Sequence, residues 1–354
     1  MAVRGEERRL PAAVRHVLDQ DYPAGIELVL AVGPSRDRTR EVAGQLAAAD
    51  SRVAVLDNPT GEIPVGLNLA VAASRHPVIV RADARSLLPA GYVRTAVQVL
   101  RETGAVNAGG YRAAQGVTAF QQAVAWAMTS PAGVGPARYQ TGGEPGPCDS
   151  VYLGAFRREA LIEAGGYREG YLRAEDWELN LRIRRAGGLI WFHPALKVTY
   201  RPREGLRALA AQYWHYGRWR RVVAREHPGT INARYLAPPA VTVAVTAGTL
   251  AGLAGVISGS PVLLAAGFAV PALYIAGILT VTTTAAREIS RRAQAWLPAA
   301  LITMHMSWGA GFLASPRGLA GPPPAEGKAP ENPPGALRAD SADPPRTQGS
   351  GHHP

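Results

Sequence analysis

The sequence predicts an α/β fold, a mostly parallel sheet with helices on both faces, followed by transmembrane helices. Three observations predict it. Short apolar runs of strand length alternate with amphipathic stretches over residues 10–102, the pattern of parallel strands joined by crossover helices. The acidic pair Glu175-Asp176 opens one more amphipathic segment, in which Leu179 and Ile183 fall four apart on one helix face. Finally, the 52 residues from Tyr235 to Ala286 contain no Asp, Glu, Lys, Arg or His, and a single span needs only about 20 apolar residues.

The elements follow in order. Residues 1–7 read as the end of a strand and its loop, with the first strand itself missing. Leu10, Val14 and Val17 or Leu18 mark a helix over 10–19, ended by Asp21-Tyr22-Pro23. Residues 26–32 are apolar apart from Glu27, as a buried parallel strand should be. Ser35 or Asp37 can cap a helix over 37–49. Strands at 53–56 and 77–81 enclose a helix at 64–74, and a helix at 89–102 follows. Asp83 stands just past the carboxyl end of its strand, where ligands bind in open α/β sheets.

Glycines at 109–110, 133–135 and 142–146 mark loops in the less regular stretch 105–170. A helix at 121–128, a strand at 149–156 and a short helix at 158–165 lie among them. Glu175 and Asp176 fall in the first turn of the next helix, where the unpaired N–H groups and the dipole favour an ionised carboxylate. A carboxylate of this kind suits a general base when it faces a cleft. Strands near 189–192 and 198–200 close the set.

Residues 201–226 carry seven arginines and two glutamates, interleaved with Tyr213, Trp214, Tyr216 and Trp219. A basic segment with tryptophans lies on a membrane surface or contacts nucleic acid. The apolar run that follows decides for anionic lipid and against nucleic acid. That run divides into spans at about 238–257 and 262–282, hinged at Gly259-Ser260-Pro261. A third span is expected at 293–315, interrupted by His305, which suits an interhelical hydrogen bond. The loop 287–292 carries Arg287, Arg291 and Arg292, so it belongs in the cytoplasm. Three spans would put residues 317–354, rich in Pro and Gly and expected to be disordered, on the opposite side from the N-terminal domain. His352 and His353 read as part of that tail, not as metal ligands.

Composition sets bounds. The chain has 354 residues, 47% hydrophobic, with a formal net charge of +11 and a pI of about 10.2, which fits an anionic lipid or a phosphorylated substrate. A single cysteine, Cys148, excludes an internal disulfide and a multi-cysteine zinc site. Residues 1–20 are charged and lack the apolar run of a signal peptide, so the N-terminal part is expected in the cytoplasm.

Five separated pieces resemble a family 2 glycosyltransferase with a GT-A catalytic domain, of the membrane-attached type found in exopolysaccharide synthesis. Val3-Arg4-Gly5-Glu6-Glu7 resembles the family's first loop, Pro-x-x-Asn-Glu. Ser35-Arg36-Asp37-Arg38-Thr39 resembles its Gly-Ser-x-Asp-x-Thr loop. Asp83 matches the first position of the DxD motif. Glu175-Asp176 matches the acidic pair that contains the catalytic base, and Gln212-Tyr213-Trp214-His215-Tyr216 resembles Gln-x-x-Arg-Trp. The likeness covers residues 1 to about 315.

The resemblance implies a GT-A domain at 1–204, a basic interfacial segment at 205–234, a transmembrane region of about three helices at 235–316 and the tail. It implies an inverting enzyme that moves a sugar from a nucleotide-sugar donor to a saccharide or lipid-linked acceptor. The work would be done at the cytoplasmic face of the cell membrane, with membrane lipids as further partners. Asp176 would deprotonate the acceptor, with Glu175 beside it. Arg4, Glu6, Asp37, Asp83 and Arg85 would hold the donor. Trp177, Gln212, His215, Tyr216 and Trp219 would receive the acceptor or gate the site. A divalent cation, Mg²⁺ or Mn²⁺, would sit at Asp83.

The departures are specific. Val32 or Gly33 stands where the family carries a uracil-binding aspartate. Arg85 replaces the second acid of DxD, and a cation cannot ligate a metal. His215 replaces the arginine of Gln-x-x-Arg-Trp, although Arg218-Trp219 can supply that pair in a shifted register. These losses leave an alternative, a catalytically degenerate relative acting as a membrane scaffold or binding protein.

Overall fold

The computed structural model describes residues 1–320. The α/β expectation holds. Ala2–Val3, Leu28–Val32 and Val53–Asp57 form a three-stranded parallel sheet. Ala2–Val3, paired with Ala31 and Val32, is the strand end read in the sequence before the loop 4–7.

Pairing is mixed in the rest. A five-stranded sheet runs in the order Val78–Val80, Tyr152–Arg157, Asn107–Gly110, Ile190–Phe192, Gly146–Pro147. Tyr152–Arg157 is antiparallel to both of its neighbours. A second three-stranded sheet joins Ser86–Leu87, Val198–Tyr200 and Arg112–Ala114. Successive residues of a strand point to opposite faces, and Tyr152–Arg157 shows the consequence. Leu153 and Ala155 enter a core with Leu10, Leu30, Tyr92 and Leu100. Phe156 enters another with Leu67, Leu161, Leu179 and Phe192.

Local sequence sets the crossover helices. Pro11 sits in the first turn of Leu10–Leu18, where its missing N–H costs nothing. Thr118 and Gln121 form a reciprocal capping box at the start of Ala119–Thr129. Gly104 ends Tyr92–Thr103 with φ +69, a left-handed backbone that glycine adopts without strain.

The carboxyl-terminal helices differ from expectation in one respect. Among the described residues two helices, Ala233–Ser258 and Pro261–Thr284, are long and apolar enough to cross a membrane. They leave Leu250, Ile257, Val262 and Leu273 largely exposed, as lipid-facing side chains would be. They meet through Gly248, Gly252, Gly255 and Gly267, the small-residue packing of helices in lipid.

The third apolar run does form a helix, Arg291–Leu313, but it is not among those long and apolar enough to span. It buries Leu297, Leu301, Met304 and Phe312 instead. It lies along Leu206–Glu226, the 21-residue helix into which the basic segment folds. His305 makes the interhelical bond expected of it, Nδ1 to the Tyr274 hydroxyl at 3.1 Å, and its Nε2 reaches the Ala132 carbonyl at 2.9 Å. Residues 321–354, with most of the expected tail and both terminal histidines, lie outside the described residues.

The crossing of these two helices depends on absent side chains. A Cβ at Gly217 would collide with the Trp308 carbonyl, and one at Gly311 with the Trp214 carbonyl. We predict that Gly217→Val destabilises the protein by about 1–3 kcal/mol, read as a lowered thermal midpoint in detergent. An unchanged midpoint would mean that the helices are not packed at this point.

Candidate active site

A cavity of about 1240 Å³ runs from the carboxyl ends of the first strands to the foot of the first membrane-length helix. Most of the residues singled out in the sequence meet there. Arg4, Glu6, Asp83, Arg85, Glu175, Asp176, Trp177, Gln212, His215, Tyr216 and Trp219 all line it.

Asp37 does not. Its carboxylate accepts from the Thr39 hydroxyl and amide and from the Glu7 amide. The Thr39 hydroxyl, the strongest of these bonds, holds its pKa below the ordinary carboxylate range. Asp37 is a brace that ties the loop 4–7 to the loop 35–39. The Gly5 amide to Ser35 Oγ, at 3.0 Å, adds to the brace.

The centre of the acidic end is a residue the sequence reading passed over. Arg81 follows the strand Val78–Val80, is only 6% exposed, and donates to three carboxylates. Nη1 binds Asp176 Oδ1, Nη2 binds Glu175 Oε1 at 3.1 Å, and Nε lies 3.5 Å from Asp83 Oδ1. Its guanidinium carbon also sits 5.8 Å from the centre of the Tyr167 ring. Two acids come from the first turn of Glu175–Arg185. They are aimed by Ala174, whose φ of +62 is left-handed and unusual outside glycine. The third acid comes from the loop after the strand. One buried cation thus joins both chain segments that carry the acids.

Asp176 keeps 27% of its side chain open to the cavity. Loss of solvation raises its pKa; Arg81 opposes the rise, while Glu175 and Asp83 add to it, and the result is about 7. The helix N-terminus alone suggested a carboxylate ionised over the whole ordinary range. Burial among like charges overrides that, and a base poised near neutrality suits proton abstraction at that pH.

Elsewhere in the cavity, Arg85 binds Glu6 through Nε, so each answers the other's charge. Gln212 Nε2 donates to the hydroxyls of Tyr200 at 3.0 Å and Tyr216 at 2.8 Å. Burial, and then Arg173 and Arg218, lower the pKa of His215. Trp219 is nearly all buried, 5.7 Å from the Tyr171 ring in a small core with Val222 and Val223, so it mainly supports the wall. Cys148 is half-buried and bonded to the Ser150 carbonyl, and burial pushes its thiol up to about 11, so it is not nucleophilic near pH 7. Among the described residues no three His, Cys, Asp or Glu side chains are grouped to hold a metal on their own.

Residues 1–165 match the family model described as Glycosyl transferase family 2, which supports a glycosyltransferase of the GT-A fold. The chain is similar to the Succinoglycan biosynthesis protein ExoA of Rhizobium meliloti (strain 1021), with 29% identity over 309 residues, 87% of this chain and 91% of that one. It also resembles in fold the mannosyltransferase PcManGT from Pyrobaculum calidifontis, solved in complex with GDP-Man and Mn2+. That likeness has a TM-score of 0.53 at 15% identity, over 88% of this chain and 85% of the other. These likenesses favour an enzyme over the scaffold alternative.

We predict that, with Asp176 as general base, kcat/KM falls as pH drops through about 7 and its carboxylate becomes protonated. Arg81→Met removes the positive charge that opposes the rise in the Asp176 pKa, so the acid limb should move to higher pH. A limb that stayed in place in the variant would separate Arg81 from the base.

Proposed function

We propose that the chain transfers a sugar, with inversion, from a nucleotide-sugar donor to a saccharide or lipid-linked acceptor at the cytoplasmic face of the membrane, in exopolysaccharide synthesis. One observation carries this reading. A single cavity has the Asp83, Glu175 and Asp176 carboxylates at one end and the first turns of a membrane-length helix, Arg234 to Pro238, at the other. The relative named for succinoglycan biosynthesis supports the polysaccharide assignment. The neighbour's GDP-Man supports a nucleotide-sugar donor.

The chemistry follows from the site. Asp176 takes the proton of the acceptor hydroxyl as that oxygen attacks the anomeric carbon. The bond from the anomeric carbon to the diphosphate oxygen breaks on the opposite side, and the nucleoside diphosphate leaves with the electron pair. Arg81 holds Asp176 in place and binds Glu175 as well. Gln212 and Tyr216 offer polar atoms to the acceptor.

Three carboxylates around one guanidinium leave the acidic end net negative, which opposes an incoming diphosphate. A divalent cation would relieve this, and the neighbour's Mn2+ supports one. Asp83, a third exposed, fits as its protein ligand. Cations of this kind commonly use one or two carboxylates together with substrate phosphates. When bound, the cation would offset charge on the leaving diphosphate. Arg85 stands where a second acid would be, so the protein's own grip on the ion is weak.

Two outcomes follow. Asp176→Asn should lower kcat about a thousandfold while donor binding and folding persist; unchanged turnover would remove the base assignment. Chelation with EDTA should slow transfer without abolishing it, measured with radiolabelled donor. Total loss restored by Mn²⁺ would show that the ion is tightly required despite Arg85.

A further inference from the structure

The cavity also holds three arginines that have no acidic partner among the described residues, Arg112 and Arg220 buried and Arg234 half-buried. Arg112 is nine-tenths buried and donates to Gln140 Oε1 at 2.8 Å, with its guanidinium carbon 4.8 Å from the Tyr200 ring. Arg220 is more deeply buried, and its charge rests against two aromatic faces, Trp177 at 4.2 Å and Tyr235 at 3.7 Å. Arg234 takes the same Tyr235 ring at 4.9 Å and reaches the Tyr139 hydroxyl at 3.2 Å.

Among the described residues none of the three pairs with a carboxylate, and the buried Nε of Arg220 has no hydrogen-bond partner at all. Burial, with the Arg234 charge adding to it, pulls the Arg220 guanidinium below its ordinary range. Buried charges are normally paired. A cluster of unpaired, donor-rich guanidiniums lining a cavity is suited to phosphate oxygens, which they bind through charge-assisted and often bidentate bonds.

Position decides which phosphate. Arg234 and Tyr235 lie in the first turn of Ala233–Ser258, one of the two helices fit to cross a membrane. Trp177, which stacks on Arg220, directly follows Asp176. Arg220 and Arg234 therefore lie between the foot of the membrane-length helix and Trp177, the neighbour of Asp176, and Arg112 lines the same cavity. Resting on the reading above, we propose that Arg112, Arg220 and Arg234 bind the phosphate or diphosphate of a lipid-linked acceptor. The lipid chain would follow the helix into the membrane, and the first sugar would be set against Asp176.

The test uses the full chain in nanodiscs, with tryptophan fluorescence as readout because Trp177 touches the cluster. The probes are a polyprenyl diphosphate, the uncharged polyprenol of the same length, and UDP and GDP. The diphosphate lipid should bind and polyprenol should not. Arg220→Met and Arg234→Gln should each weaken the lipid diphosphate by about tenfold or more and leave nucleotide affinity in place. Equal binding of polyprenol and polyprenyl diphosphate by the native chain would overturn the proposal, and that comparison stands even if the variants fail to fold. Loss of nucleotide affinity in parallel would also overturn it, by assigning the cluster to the donor. Failure of both nucleotides to bind the native chain would strike the donor reading instead, and the two lipids would still report on the arginines.

Discussion

The buried guanidinium of Arg81 is the constraint on which the rest of the site depends. Asp83 sits on a loop after one strand, while Glu175 and Asp176 open a helix more than ninety residues later. Three carboxylates brought this close repel one another and resist burial. The cation between them makes the arrangement tolerable. Stripping the partner from a buried ion pair costs about 3–5 kcal/mol, because the remaining charge is left uncompensated. The same contacts fix the direction of the acids and oppose the rise that burial imposes on the Asp176 pKa. Stability and reactivity at this site thus have one origin.

The cavity is electrically asymmetric, and the asymmetry follows the chain's layout. The acids come from the sheet and its crossover helix, as in other α/β folds, where ligands lie at the carboxyl ends of strands. The arginines at the other end come from the strand Arg112–Ala114, the helix Leu206–Glu226 and the foot of the membrane-length helix Ala233–Ser258. Aromatic rings, Trp177, Tyr200 and Tyr235, shield these guanidiniums in place of acids. The helix Arg291–Leu313 closes that wall through Met304, His305 and Trp308. The apolar carboxyl-terminal helices therefore supply part of the cavity wall.

Much of this was legible in the sequence, for physical reasons that can be named. Strand and helix periods revealed the α/β order, and the positions of Asp83 after a strand and Asp176 in a first turn marked them as candidates that the structure places on one cavity. Arg81 escaped notice because an arginine at a strand's end has no local signature; its importance lies in partners far away in the chain. Asp37 was misplaced for the opposite reason. Its motif is local and suggestive, but its oxygens are already occupied by Thr39 and Glu7. The third apolar run illustrates a limit of composition. An uncharged stretch of span length is apolar enough for lipid or for a protein interior, and only the packing of Leu297, Leu301 and Met304 tells which.

The central claim is that Asp176 deprotonates an acceptor whose oxygen displaces the nucleoside diphosphate directly. Proton NMR of the anomeric configuration in the first-formed product tests this most directly. Direct displacement predicts a product with configuration opposite to that of the donor. A product that retains the donor's configuration would contradict a single displacement and the role assigned to Asp176.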